Sequence, residues 1–178
     1  YYIQKESMCI MLDKVYENID ECVNDAMSLA SEYAKDGVER GIGGPFGAAI
    51  IQKSQNGYKI IVIARNTVLM EKDPTCHAEI NAIKKACRIL ERYTLNDCIL
   101  VTTAKSCPMC ISAACWARIP IVKYVLDYDF TKKKGFIDKD INNYIKGKNN
   151  IIKEINVKND NAVVPFEVWN KKQDKNEY

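Results

Sequence analysis

His77 is the only histidine in 178 residues, and Glu79 follows it by two positions, at the start of an apolar helical pattern. Further along, Cys107 and Cys110 form a C-x-x-C pair around Pro108 and Met109, again where a helical run begins. Each piece alone says little. A lone histidine is most often an ordinary side chain, and C-x-x-C also serves as a redox pair. A redox reading, however, leaves the single histidine and the H-x-E spacing without a role. Together, one imidazole and two thiols are ligands for Zn²⁺, and three protein ligands leave the fourth tetrahedral position open, as in a catalytic zinc site. Helix N-termini favour thiolates, because their free N–H groups carry partial positive charge. Two thiolates and a neutral imidazole then balance one zinc ion per chain. Two residues past His77, Glu79 is off the ligand's helix face. There it can flank a zinc-activated water as a general acid/base, or simply place favourable charge at a helix start.

These residues can meet only if the elements bring them together. Apolar positions Val15, Ile19, Val23, Met27, Ala30 and Ala34 predict a helix over residues 13–36, closed at Gly37. A Gly/Pro loop, "GIGGPFGA" (41–48), leads into a strand over 48–53, and "SQNG" (54–57) turns the chain into a paired strand over 58–65. Asp73 or Thr75 can cap a helix that runs to about residue 91. "CILVTT" (98–103) reads as a buried central strand, followed by a helix opening at Pro108 and a strand over 119–128. Alternating strands and helices imply parallel pairing with helices on the sheet faces, so both helix N-termini emerge at one sheet edge. A helix near 138–146, a weak strand near 151–157 and an amphipathic helix in "AVVPFEVWNKK" complete the reading. The expected fold class is α/β, a three-layer α/β/α sandwich around a mixed five-stranded sheet.

The composition fits this plan. A hydrophobic share of 47% and a net charge of +3 suit one globular domain and argue against a nucleic-acid or membrane partner. No apolar run approaches a membrane span, and no signal-peptide pattern is read. Residues from Thr131 onward hold 11 Lys against 7 Asp+Glu, a difference of +4, which reads as solvated surface. Cys9, Cys22, Cys87, Cys98 and Cys115 sit in apolar runs as small buried side chains. That usage suits a reducing, cytoplasmic setting.

H-x-E followed by the C-x-x-C pair resembles the H-x-E and P-C-x-x-C signature of the zinc nucleoside and nucleobase deaminases, a family whose chemistry is a known general case. Further matches are "GIGGPFGA" (41–48), Asn66, "DPTxHAE" (73–79), "DCIL" (97–100), "WAR" (116–118), "GFxD" (135–138), "PF..W" (165–169) and a terminal "EY" (177–178). On these the chain is similar to the bacterial guanine deaminases over roughly residues 20–178, with 1–19 as an extension that matches nothing familiar. tRNA adenosine deaminases share the metal motif but not "GGPFGA" or "EY". The resemblance implies a cytidine deaminase-like fold in a single domain over 1–178. It implies zinc on His77, Cys107 and Cys110, and Glu79 as the proton shuttle. Asn66 and the backbone near Ala78 would bond the purine, with Phe46 and Trp116 walling the pocket. Asp138 would assist proton transfer at the exocyclic amino end. Tyr178 would reach a site from a homodimer partner that exchanges the segment 160–178. Read without the family, Phe46 and Trp116 are equally core aromatics, Asp138 a helix cap and Tyr178 a free end. The chain also departs from the family pattern: Lys105 and Ser106 stand where the family has Glu-Pro before the first cysteine.

The implied reaction is hydrolysis of guanine to xanthine and ammonia. Alternatives are a deaminase of cytosine, guanosine or another nucleoside, a tRNA adenosine deaminase, and a non-catalytic subunit with structural zinc.

Overall fold

The computed structural model describes residues 14–157 and 159–173. A central sheet has strands β1 (Gly47–Ser54), β2 (Gly57–Arg65), β3 (Cys98–Ala104) and β4 (Ile121–Leu126), in the order β2-β1-β3-β4. β1 runs antiparallel to both β2 and β3, and β3 is parallel to β4. The sheet is therefore mixed, as expected. Helices α1 (Ile19–Glu39), α2 (Val68–Glu71), α3 (Ala78–Ile89), α4 (Pro108–Trp116), α5 (Tyr128–Lys133), α6 (Asp138–Ile145) and α7 (Val164–Lys171) complete the described chain, with a 3-10 turn at Asp160–Val163.

Strand side chains alternate between two apolar clusters, which is what a sheet covered on both faces requires. Ala49, Ile51, Ile99 and Val101 pack on the buried face of α1, formed by Cys22, Ala26, Ala30 and Tyr33. Ala48, Ile50, Cys98 and Leu100 point the other way, onto Ala78, Ala82 and Ala86 of α3 and Ala114 of α4. The β1/β2 register slips between Ile50 and Ile51, and Ile61 is the extra residue. That bulge lets Ile61 and Val62 join the same cluster. Asn18 caps α1 by accepting from the amides of Asp20 (2.8 Å) and Glu21.

Two expectations are corrected. The first helix starts at Ile19 and passes through Gly37 to Glu39 instead of closing at Gly37. Glycine is required there by close approach, since an added Cβ would lie 2.9 Å from Arg65 Cδ. The sheet has four strands among the described residues, not five. Residues 151–157 form no strand, and Ile151, Ile152, Ile155 and Val157 are 51–79% exposed. Their apolar pattern suits a strand, but a strand needs a neighbouring backbone to pair with, and among the described residues no strand pairs with them. The described residues include no helix long and apolar enough to cross a membrane.

Candidate active site

β2 and β3 both run antiparallel to β1 and so point the same way, although β1 separates them. Chain leaving β2 reaches α3 through α2, and chain leaving β3 enters α4 directly. Both N-termini therefore open at the same sheet edge. His77 is the N-cap residue of α3 and Cys107 that of α4, both with extended backbone, while Cys110 lies in the first turn of α4. Pro108 opens α4 where its missing N–H costs nothing.

His77 Nδ1 lies 3.7 Å from Cys107 Sγ and 3.6 Å from Cys110 Sγ. All three donor atoms fall within 4.8 Å of one another, the only such ligand cluster found among the described residues. Tetrahedral zinc with bonds of about 2.3 Å to sulfur and 2.0–2.1 Å to nitrogen separates N and S ligands by about 3.6 Å. The protein thus presents the spacing such an ion needs. The charges agree. The Cys110 hydrogen bond, aided by His77, pulls the Cys107 thiol down to about 4, while Cys107 and burial push Cys110 up. The thiolate of Cys107 in turn raises His77 against the opposing effect of burial. Two thiols this close oppose carrying two negative charges at once. A cation that takes both as thiolates resolves the conflict.

Glu79, 6% exposed, sits in the first turn of α3. Burial raises its carboxyl above the usual range, opposed in part by its own backbone N–H. Ser106 contributes a weak lowering contact, but its buried hydroxyl has no well-aligned partner. Beside Glu79 and the ligands opens a cavity of about 570 Å³. Val68, Leu69, Phe46 and Phe136 give it apolar walls, and Asn66, Asp138 and Lys105 are polar points on its lining. Asn66 Oδ1 accepts from the amides of Gly44 (3.2 Å) and Val68 (3.1 Å). Two N–H donors fix that atom as the oxygen, so the Nδ2 group is left as a donor. Gly43 allows the approach, because a Cβ there would strike both the carbonyl and Oδ1 of Asn66. Asp138 starts α6, and burial, then the charge of Cys107, raises its carboxyl.

The sequence-derived site residues divide by position. His77, Glu79, Cys107, Asn66, Phe46 and Asp138 all line this cavity, and Cys110 lies behind it as the buried third ligand. Ala78 is fully buried, and its amide, at the helix start, has no acceptor inside the helix. Trp116 is not brought to the site. It is 68% exposed and lines a separate apolar groove with Trp169, Ile83 and Tyr93. Tyr178 lies outside the described residues. Phe136 was missed: it meets Phe46 edge-on at 4.7 Å between ring centroids. It stands inside the quoted "GFxD", so the signal was there. Val68 and Leu69 on the four-residue α2 carried no periodicity to find.

A buried acid on the lining of one cavity, beside three zinc ligands, defines a metal-dependent hydrolase site. Residues 20–126 match the model of the cytidine and deoxycytidylate deaminase zinc-binding region. The chain belongs to this zinc-binding deaminase family and is a zinc-dependent hydrolytic deaminase. Within the family it is similar to the guanine deaminase of Bacillus subtilis, with 38% identity over 90% of this chain and 99% of that protein. The X-ray structure of guanine deaminase from Bacillus subtilis superposes with a TM-score of 0.77 at 37% identity, covering 90% of this chain and 99% of that one. The tRNA-specific adenosine deaminase of Buchnera aphidicola is 34% identical over 72% of this chain and 82% of its own length.

Proposed function

We propose that this protein hydrolyses guanine to xanthine and ammonia. The observation that carries the reading is the extent of the likeness. The similarity to a guanine deaminase covers 90% of the chain, well past the zinc-binding region at 20–126. The pocket chemistry supports it. Apolar walls and edge-directed polar groups suit a flat base held by its rim, and an unpaired buried polar group costs about 1–3 kcal/mol, enough to favour one base over another.

His77, Cys107 and Cys110 would hold the zinc, which when bound supplies the Lewis acidity that makes water nucleophilic near neutral pH. The Asn66 amide donates to an acceptor on the purine edge and orients the amino-bearing carbon C2 toward Glu79. Phe46 and Phe136 hold the ring plane and exclude solvent. The Glu79 carboxylate takes a proton from the attacking water and returns protons to the ring nitrogen and the departing amine. One water is consumed, the C2–N bond breaks and ammonia leaves, so atoms balance. Asp138 stands on the cavity lining where it can receive the amino group.

We read the chain as one deaminase domain, cytoplasmic in location. The described cysteines, all free, support a reducing setting. We also read it as a homodimer. The exposed side chains of Ile151, Ile155, Val157 and Phe166, and of Val125 on the edge strand β4, form apolar surface that a second copy would cover. Light scattering should give twice the chain mass, and a single-chain mass would remove the dimer. The functional test is ammonia release by zinc-loaded protein from guanine, guanosine, cytosine, adenine and a tRNA anticodon arm. Guanine should be turned over far faster than the others. Preference for any other member reassigns the substrate.

A further inference from the structure

Lys105-Ser106 precedes the first cysteine ligand, and this pair lies on the turn that carries Cys107 out of β3. A serine there leaves a flexible backbone next to a metal ligand, where the family pattern has a proline. The turn is nevertheless tied down from a different element. Tyr128, the first residue of α5, donates its hydroxyl to the Ser106 carbonyl at 2.5 Å. One residue earlier, the Lys105 amide donates to the Leu126 carbonyl at 2.7 Å, extending the parallel β3/β4 ladder past the strand end. Asp127 between them caps α5 by accepting from Phe130 N at 2.8 Å, so the phenol is delivered from a fixed helix start. Lys105 closes the outer side, its Nζ 5.1 Å from the Tyr128 ring centroid and 5.6 Å from that of Tyr124.

We propose that Tyr128 is a positioning residue for the zinc site: its hydroxyl clamps the Ser106 carbonyl and so replaces the stiffness of a proline before Cys107. The clamp acts on the ligand through the backbone and touches neither substrate nor metal. Phenylalanine at 128 keeps the ring, its packing and the α5 cap, but frees the Ser106 carbonyl. Cys107 then samples orientations that cannot ligate. Outer partners of metal ligands typically govern metal affinity by about 10- to 100-fold. A proline at 106 restricts the same turn covalently, and among the described residues no backbone carbonyl accepts from the Ser106 amide. The proposal rests on zinc and not on the identity of the base, so metal affinity reads it even if guanine is not the substrate.

The test is zinc affinity, measured by competition with a chromogenic chelator, for wild type, Tyr128→Phe, Ser106→Pro and the double variant. Melting of the zinc-free proteins is followed alongside. Tyr128→Phe should bind zinc about 10- to 100-fold more weakly, while Ser106→Pro/Tyr128→Phe recovers most of that loss. A structural role alone would lower the melting point of the zinc-free protein equally with either residue at 106. Wild-type affinity in Tyr128→Phe, or an undiminished loss in the proline background, overturns the proposal. Should Tyr128→Phe fail to fold, the double variant decides: near-wild-type affinity sustains the clamp, and a persistent deficit refutes it.

Discussion

At the scale of single residues, the proposed chemistry turns on what burial does to Glu79. A carboxyl 6% exposed is raised above its usual range and gains proton affinity, which a group that both takes and returns protons needs. Glu79→Gln keeps shape and packing but has no basic oxygen to offer. It should retain one zinc per chain and lose about 10²- to 10⁴-fold in kcat, and metal analysis beside steady-state rates checks both. Asn66 permits a finer cut. Asn66→Asp still accepts from Gly44 and Val68, so the loop holds, but the cavity loses its donor. kcat/KM for guanine should fall by about 1–3 kcal/mol, roughly 5- to 150-fold, with little change in melting point. The ligands and Glu79 were legible in sequence because residue type and spacing alone mark them. Trp116 was not, because an aromatic's placement depends on which way its helix faces.

At the scale of elements, the site depends on two helix starts meeting at one sheet edge. That logic was legible from the alternation of strands and helices. Less legible was that β1 lies antiparallel between the two parallel strands that feed the helices, since strand order is a tertiary outcome. The fifth strand failed for the same reason: apolar spacing states a preference, and pairing requires a partner. The core face of α1 is locked to β2 by a feature the sequence did not announce. Arg65, 3% exposed, stacks its guanidinium on the Tyr33 ring at 4.1 Å and donates to the Tyr33 carbonyl and to Asp36 at 2.5 Å. The Arg65 hydrogen bond holds the Asp36 carboxyl below its usual range. A lowered folded pKa gives stability that is present above about pH 4, the unfolded value, and lost as pH falls through the folded one. Asp36→Asn should therefore melt lower than wild type near neutral pH, with the gap closing toward pH 2. Asp36 is half exposed, so the gap is small. Melting curves across that range check the sign, and a gap that grows in acid contradicts it.

At the scale of the whole molecule, the sheet and its helices bring His77, Cys107 and Cys110 within 4.8 Å of one another, and they leave a cavity of about 570 Å³ beside Glu79. The family, the metal and the reaction class follow from that arrangement and from the likeness along most of the chain. The most direct measurement is a titration of zinc into metal-free protein with xanthine formation from guanine followed at each step. Turnover should rise linearly and level off at one zinc per chain. Guanine hydrolysis indifferent to zinc, or a full complement of bound zinc without xanthine, would contradict the account.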